Sequence, residues 1–268
     1  MLIRRIDHPI VCVRDRRGWV DTFKRVLDLE PLAAREGDEW GFSNAEIAVG
    51  DGLVGIVEPA GEGSHLTKFL AAHGEGYYAL SVDVGDLDRA AAHFRAHDVP
   101  FREAKRDGRT TLLWVAPRSA CGVLYQISPG MKIQPGTNPL YEGIPEVVIG
   151  VESAEAGRDR YRTVFGFENW EPVESHHLGY RGYRMPIPEA NFEEALIMAE
   201  PTSDEGRLGR HMKAKGEGFF QFSIDVTDLA AELRRLRDKG IKVETEGDKL
   251  AWVAPEELNG IRVELRQS

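Results

Sequence analysis

The chain has 268 residues, 42% of them apolar and 29% charged, with a formal net charge of −10. That length suits two ordinary domains of about 100 to 150 residues each, and the apolar share excludes a disordered chain. An acidic balance with scattered Lys and Arg residues speaks against nucleic acid as a partner, because phosphates would be repelled. No run approaches the roughly 20 apolar residues that span a bilayer. Cys12 and Cys121 stand outside any CxxC or Cys/His cluster, so both read as buried small hydrophobes and not as a disulfide or zinc framework.

In chain order, MLIRRIDHPIVCVRD has too short an apolar run before Arg14 for a secretory leader, and a cytoplasmic protein is expected. Ile6 to Val13 reads as a strand. GWVDTFKRVLDLE reads as a helix with Trp19, Phe23, Val26 and Leu27 on its buried face. Strand signals follow at Trp40 to Ala48 and Leu53 to Val57, then at Tyr78 to Val84. LDRAAAHFRAHDV is an amphipathic helix. Short strands close the half near Phe101, at Leu112 to Ala116 and at Val123 to Ile127.

The rest of the chain repeats this pattern, and a repeat decides the fold before any single element does. VEPAGEGSHLTKFLAAHGEGYYALSVDVGDLDRAAAHFRAHDV from Val57 lies over AEPTSDEGRLGRHMKAKGEGFFQFSIDVTDLAAELRRLRDKGI from Ala199, an offset of 199 minus 57, or 142. LLWVAPRSACGVLYQI from Leu112 lies over LAWVAPEELNGIRVEL from Leu250, and IDHPIVCV from Ile6 over IPEVVIGV from Ile144, both at an offset of 138. The expected organisation is a domain over 1–130, a proline- and glycine-rich linker over 131–143 and a domain over 144–268. Each domain comprises two strand-helix-strand-strand-strand units, which makes the class α+β.

A helix running into VLDLE or VFGFE, a GEG-aromatic-aromatic strand entry, SVDVGDL or SIDVTDL before a helix, and closing GVLYQI or GIRVEL strands resemble the vicinal oxygen chelate superfamily of glyoxalases, bleomycin resistance proteins and dioxygenases. The VEPAGEGSHLTKFLAAHGEG segment is most similar to methylmalonyl-CoA epimerases, then to glyoxalase I. The resemblance implies two tandem domains, each a pair of βαβββ units forming a cup-like mixed sheet. It also implies four inward ligands for one divalent metal. In the first half these fall on His8, Glu58, Ala79 and Gln126, a set broken at Ala79. In the second they fall on Glu146, Glu200, Gln221 and Glu264. If the first unit pairs with the fourth, the set becomes His8, Glu58, Gln221 and Glu264. Its two carboxylates balance a divalent ion, so this swapped arrangement is expected over the adjacent one.

The residues support parts of this independently. Glu264 lies between apolar residues in VEL, where an unpartnered carboxylate is costly, and Gln221 is a polar residue amid aromatics in FFQFSI. Glu58, Glu200 and Glu264 are the candidate proton-moving carboxylates, and Tyr78 and Phe220 the candidate pocket walls. Trp114 and Trp252 read as core. His176 and His177 read as a polar loop pair, since adjacent strand residues face opposite ways. The GEG glycines do not sit between a strand and a helix as a dinucleotide loop requires.

An oxygen-rich donor set suits Mg, Mn, Co, Ni or Zn better than Fe(II) with oxygen, which needs two histidines and a carboxylate. Such an ion polarises a carbonyl and stabilises the enolate left when a neighbouring proton departs. The expected function is metal-dependent proton transfer next to a carbonyl, by an epimerase, isomerase or lyase of glyoxalase type. Its partner is a small chelating substrate, with no membrane partner, in a monomer or homodimer. The alternative is a non-catalytic protein that sequesters a small molecule, as bleomycin resistance proteins do.

Overall fold

A computed structural model describes residues 1–37, 41–61, 63–130, 134–190 and 193–268. Trp40, expected to open a strand, lies outside the described residues. The first half runs β1 (Arg5–Cys12), α1 (Arg16–Leu27), β2 (Pro31–Arg35), β3 (Phe42–Val49), β4 (Gly52–Pro59), α2 (His65–His73), β5 (Gly76–Asp83), α3 (Leu87–Ala96), β6 (Phe101–Arg106), β7 (Arg109–Val115) and β8 (Leu124–Ser128). A short β9 (Tyr141–Gly143) lies in the linker. The second half runs β10 (Glu146–Gly150), α4 (Ala154–Phe165), β11 (Glu171–Ser175), β12 (Tyr180–Pro186), β13 (Ala195–Pro201), α5 (Arg207–Lys215), β14 (Gly218–Val226), α6 (Leu229–Asp238), β15 (Val243–Glu246), β16 (Leu250–Val253) and β17 (Val263–Gln267).

The strands form two sheets of matching order, β2-β3-β4-β1-β5-β8-β7-β6 and β11-β12-β13-β10-β14-β17-β16-β15. Units adjacent in the chain therefore share a sheet, and the swapped pairing expected from charge balance does not form. His8 and Glu264 stand in different sheets. Short connections favour adjacent pairing, because closing a nearby loop costs less entropy than closing a distant one.

Repeated sequence produces repeated local structure. Asp15 and Ser153 cap α1 and α4, and Asp86 and Asp228 cap α3 and α6, each side chain accepting from a backbone N–H in the first turn. The structure adds a helix that the sequence reading did not separate. α2 starts at the Ser64 cap, buries Leu66 and Leu70 one turn apart and stops at Gly74, and α5 occupies its place in the second half.

By contacts the chain divides into two compact units. One comprises Met1–Asp7, Ala79–Met131 and Glu146–Phe220; the other comprises His8–Tyr78, Lys132–Pro145 and Gln221–Ser268. In the first, Phe94 and Tyr125 pack against the Phe165 ring and the Tyr125 and Tyr161 hydroxyls lie 3.0 Å apart. The second has an ionic centre. Fully buried Glu232 accepts from Tyr141 Oη at 2.5 Å and from Arg235 Nε at 2.7 Å, and Arg235 reaches Asp28 at the end of α1.

In the same unit the linker crosses the β3–β4 turn. Asp51 N donates to Glu142 O, and Gly50, at φ +57°, approaches so closely that a Cβ would stand 2.1 Å from Glu142 C. Only glycine fits there.

Candidate active site on the inner faces of the sheets

Strand register decides which side chains share a face, because successive residues point to opposite sides. In the first half β1 and β4 run parallel with Ile10 beside Gly55, and β3 sets Glu46 opposite Gly55. A Cβ on Gly55 would meet His8 Cδ2 at 3.2 Å and Nε2 at 3.5 Å. His8, Gly55, Glu46 and Asn44 therefore belong to one face, the inner one, and the His8 imidazole leans into the room that glycine leaves. Asn44 Nδ2 lies 3.5 Å from Glu46 Oε1.

Glu58 is three residues beyond Gly55 and so points the other way. Its Oε2 accepts from Arg16 N at 2.8 Å, at the start of α1, while Oε1 pairs with Arg16 Nε at 3.4 Å. Glu200 repeats the arrangement, with Oε2 accepting from Ala154 N at 3.1 Å at the start of α4 and Oε1 from Arg181 Nη2 at 2.8 Å. The Arg181 guanidinium holds the Glu200 carboxyl below the usual range. A carboxylate at a helix N-terminus is favoured by the helix dipole and the unpaired N–H groups. The sequence reading put Glu58 and Glu200 among metal ligands and proton carriers; the structure puts both on the helix-bearing faces, occupied in holding α1 and α4.

The inner face of β14 and β17 is different. Ser223 lies beside Glu264 in the parallel pair, and Trp252 lies opposite Glu264 on β16. Glu264 is 8% exposed, and its oxygens are divided: Oε1 accepts from Ser223 Oγ at 2.9 Å and Oε2 from Gln221 Nε2 at 3.2 Å. Gln221 is fully buried, and its Oε1 has no hydrogen-bond partner. Further along, Arg266 Nε donates to Asp225 Oδ1 at 2.8 Å.

The equivalent place in the first half is neutral. Gln126 Nε2 donates to Ser81 Oγ at 3.1 Å, and Ser81 Oγ donates in turn to Asp7 Oδ2 at 3.0 Å, which Ser128 also reaches at 3.0 Å. Ala79 offers no donor. Near Asp7, the buried Glu194 carboxylate accepts from Ile6 N. Burial, reinforced by Asp7 and Asp83, pushes Glu194 up to about 7 against the pull of the Ile6 N–H and Arg5.

Glu146, the position equivalent to His8, is 9% exposed and held by Arg184 Nε at 2.7 Å. Tyr78 and Phe220, expected as pocket walls, follow the opposite parity to Ala79 and Gln221. Tyr78 packs on Phe69 and His65 of α2, and Phe220 on His211 of α5. Trp252 is core as expected, whereas Trp114 is only half-buried. His176 and His177 fall in the turn after β11. Burial pushes the Cys12 thiol up to about 12 and Cys121 to about 11, so neither supplies a thiolate at neutral pH.

Among the described residues no three His, Cys, Asp or Glu side chains gather as a metal cluster. The pair that fits a cation is Glu264 with the orphan oxygen of Gln221. One carboxylate and one amide oxygen suit a hard ion that keeps water and takes its remaining donors from a ligand. Sequence reasoning singled out Gln221 and Glu264, which the structure brings into contact. It missed Ser81 and Ser223, although SVDV and SIDV display them at matching places, and it missed Glu46 and Arg184.

Residues 5–127 match the family described as Glyoxalase/Bleomycin resistance protein/Dioxygenase superfamily, and residues 147–256 match a Glyoxalase-like domain. The mitochondrial methylmalonyl-CoA epimerase of Bos taurus is 24% identical over 184 residues, covering 59% of this chain and 98% of that protein. A triple variant of 4-hydroxymandelate synthase from Streptomyces coelicolor superposes over 99% of this chain and 92% of its own, at a TM-score of 0.77 and 14% identity, a likeness of fold. A methylmalonyl-CoA epimerase from Streptomyces coelicolor, in complex with 2-nitronate-propionyl-CoA, is 24% identical and covers 47% of this chain and 96% of its own, at a TM-score of 0.42. No helix among the described residues is long and apolar enough to cross a membrane. With a glyoxalase-type match on each of two like sheets, the chain belongs to the vicinal oxygen chelate superfamily as a tandem, two-domain member.

Proposed function

We propose that the protein moves a proton next to the carbonyl of a small chelating substrate, with Glu264 as the proton carrier. The observation that carries this is a buried carboxylate whose two oxygens have different neighbours. Ser223 is suited to Oε1 in both protonation states, because a hydroxyl donates to a carboxylate and accepts from a carboxylic acid by rotation. Oε1 can thus take the substrate proton and keep Ser223 as a hydrogen-bond partner. Gln221 Nε2 donates to Oε2, and Gln221 Oε1 has no hydrogen-bond partner.

Glu264 and Gln221 would hold a divalent ion, which supplies Lewis-acid polarisation of the substrate carbonyl when bound. Trp252, opposite Glu264, excludes water from one side, and a drier site strengthens each of these interactions. Glu146, Glu58 and Glu200 have no part in the chemistry. The likeness to the Bos taurus epimerase supports a proton-transfer reading.

The second reading, a protein that sequesters its ligand, draws on the two hydrogen bonds that already satisfy Glu264. Incubation in D2O with 2-oxo acids and acyl-CoA esters, followed by proton NMR, separates the two. Exchange at the carbon beside the carbonyl that Glu264→Gln abolishes supports the enzyme. Saturable binding without exchange overturns it.

A further inference from the structure

We propose that Arg184 is a resident cation on the second sheet, standing beside Glu146 where the resemblance puts a metal ion, and that it withholds Glu146 from any metal. The inference builds on the proposed site by removing one donor from it.

Arg184 lies on β12 directly across from Ile197 of β13, and Glu146 begins β10 on the other side of β13. The Arg184 side chain crosses the intervening strand, and Nε donates to Glu146 Oε1 at 2.7 Å. Its other nitrogens are engaged as well. Nη2 donates to Glu193 O at 2.9 Å, and Nη1 lies 3.6 Å from Glu171, the residue paired with Arg184 on β11. The side chains of Arg184 and Glu146 are 19% and 12% exposed. A metal taking Glu146 as a ligand would leave a largely buried guanidinium without its main counter-charge, and removing one partner of a buried pair is strongly unfavourable. Arg184 also makes planar, multi-point contacts that a single hydrated ion does not reproduce.

The first half shows that this is a choice of sequence and not a requirement of the fold. Register places Glu46 opposite Gly55 as Arg184 is opposite Ile197, and His8 stands where Glu146 does. The first half thus has an imidazole and a carboxylate at the positions where the second has a carboxylate and a guanidinium. Fixed positive charge is built into one inner face and is missing from the same place on the other.

Mn2+ titration followed by electron paramagnetic resonance tests this on the full chain, with circular dichroism melts to confirm folding. Glu146→Gln is expected to leave Mn2+ affinity within about twofold of the parent. Arg184→Gln is expected to gain an additional Mn2+ site at least tenfold tighter than any further binding by the parent, drawing on Glu146 and Glu171. Arg184→Gln with Glu146→Gln, a neutral pair that restores local balance, should lose that gain, and Arg184→Lys, which keeps the charge, should not show it. A tenfold loss in Glu146→Gln, or no gain in a folded Arg184→Gln, overturns the assignment. A parent that binds no Mn2+ removes the metal from the proposed function but leaves the gain in Arg184→Gln as the test of Arg184.

Discussion

The two sheets have the same strand order and different inner surfaces. On the first, the last-strand position is the neutral Gln126, which donates to Ser81, and Ser81 in turn donates to the buried Asp7. On the second, the corresponding serine is Ser223, but the carboxylate is on the last strand as Glu264, and Arg184 and Arg266 bring fixed positive charge. Duplication preserved the scaffold, including the serines, the tryptophans opposite the last strand and the carboxylates at the starts of α1 and α4. It left the charges free to move among the inward positions. A fold of this kind is maintained by residues facing the helices, and chemistry is changed by residues facing the other way.

The sharpest break in the comparison is to make the halves alike at the last strand. Glu264→Gln gives the second half the amide that the first has in Gln126. Loss of a general acid–base group typically costs about 10² to 10⁴ in rate, and proton–deuterium exchange should fall by at least about 10²-fold. The melting temperature should hold, because glutamine still accepts from Ser223 and Gln221 can reorient. Gln126→Glu should not create activity in the first half, where Asp7 already occupies Ser81.

The next effect concerns the acid near Asp7. Glu194 has its folded pKa raised to about 7 from an ordinary 4.5. Below the ordinary value it is protonated folded and unfolded, so burial costs it nothing. As pH rises through 7 the unfolded chain holds the charge more easily, and stability is lost. Glu194→Gln keeps the acceptor for Ile6 N, so it should raise stability by up to about 3 kcal/mol at about pH 8 and change little near about pH 4.5. Denaturation followed by fluorescence at both pH values checks this, and equal effects at the two would remove the burial argument.

Gly55→Ile installs in the first half the residue that Ile197 provides in the second. Its Cβ alone would press on the His8 ring, and overpacking of this kind costs about 1 to 3 kcal/mol. The reverse change, Ile197→Gly, opens a cavity but displaces no neighbour. Thermal melts should therefore be accompanied by a shifted His8 ring resonance in the first variant and by none at Arg184 in the second.

These positions also show what the sequence made legible. The repeat, the class and the pairing of GEG and SVDV motifs could be read because hydrophobic periods and turn residues recur at fixed offsets. Gln221 and Glu264 stood out because a polar residue inside FFQFSI or VEL has to be satisfied. The face of Glu58 could not be read. Strand β4 is buried on both sides, from Leu53 to Val57, and a run without alternation gives no parity. Arg184 was hidden for another reason. It belongs to YRGYRM, where the offset between halves changes, and its partner Glu146 is 38 residues away in the chain. The swapped pairing was inferred from charge balance among four residues, one of which, Glu58, faces the other side of its sheet.

The smallest expected effect tests that reassignment directly. Glu58 and Glu200 occupy one repeat position and make the same contact, a carboxylate oxygen on the first backbone N–H of the helix, with an arginine on the other oxygen. Glutamine preserves the hydrogen bond and removes the charge. What is lost is the interaction with the helix dipole and the ion pair. The first is worth about 0.3 to 1 kcal/mol at a partly exposed site, and the second is small wherever one partner is solvated. Glu200→Gln should therefore cost about 1 kcal/mol, and Glu58→Gln somewhat more, because Arg16 is 3% exposed where Arg181 is open to solvent. Because Arg181 lowers the Glu200 pKa, its share of stability is present above the ordinary carboxylate range and lost as pH falls through the lowered value. The difference between parent and Glu200→Gln should narrow in acid. Exchange activity and Mn2+ affinity should match the parent in both variants. A tenfold loss of either in Glu58→Gln would mean that a carboxylate facing α1 reaches the chemistry after all, and the division between scaffold face and chemical face would have to be redrawn.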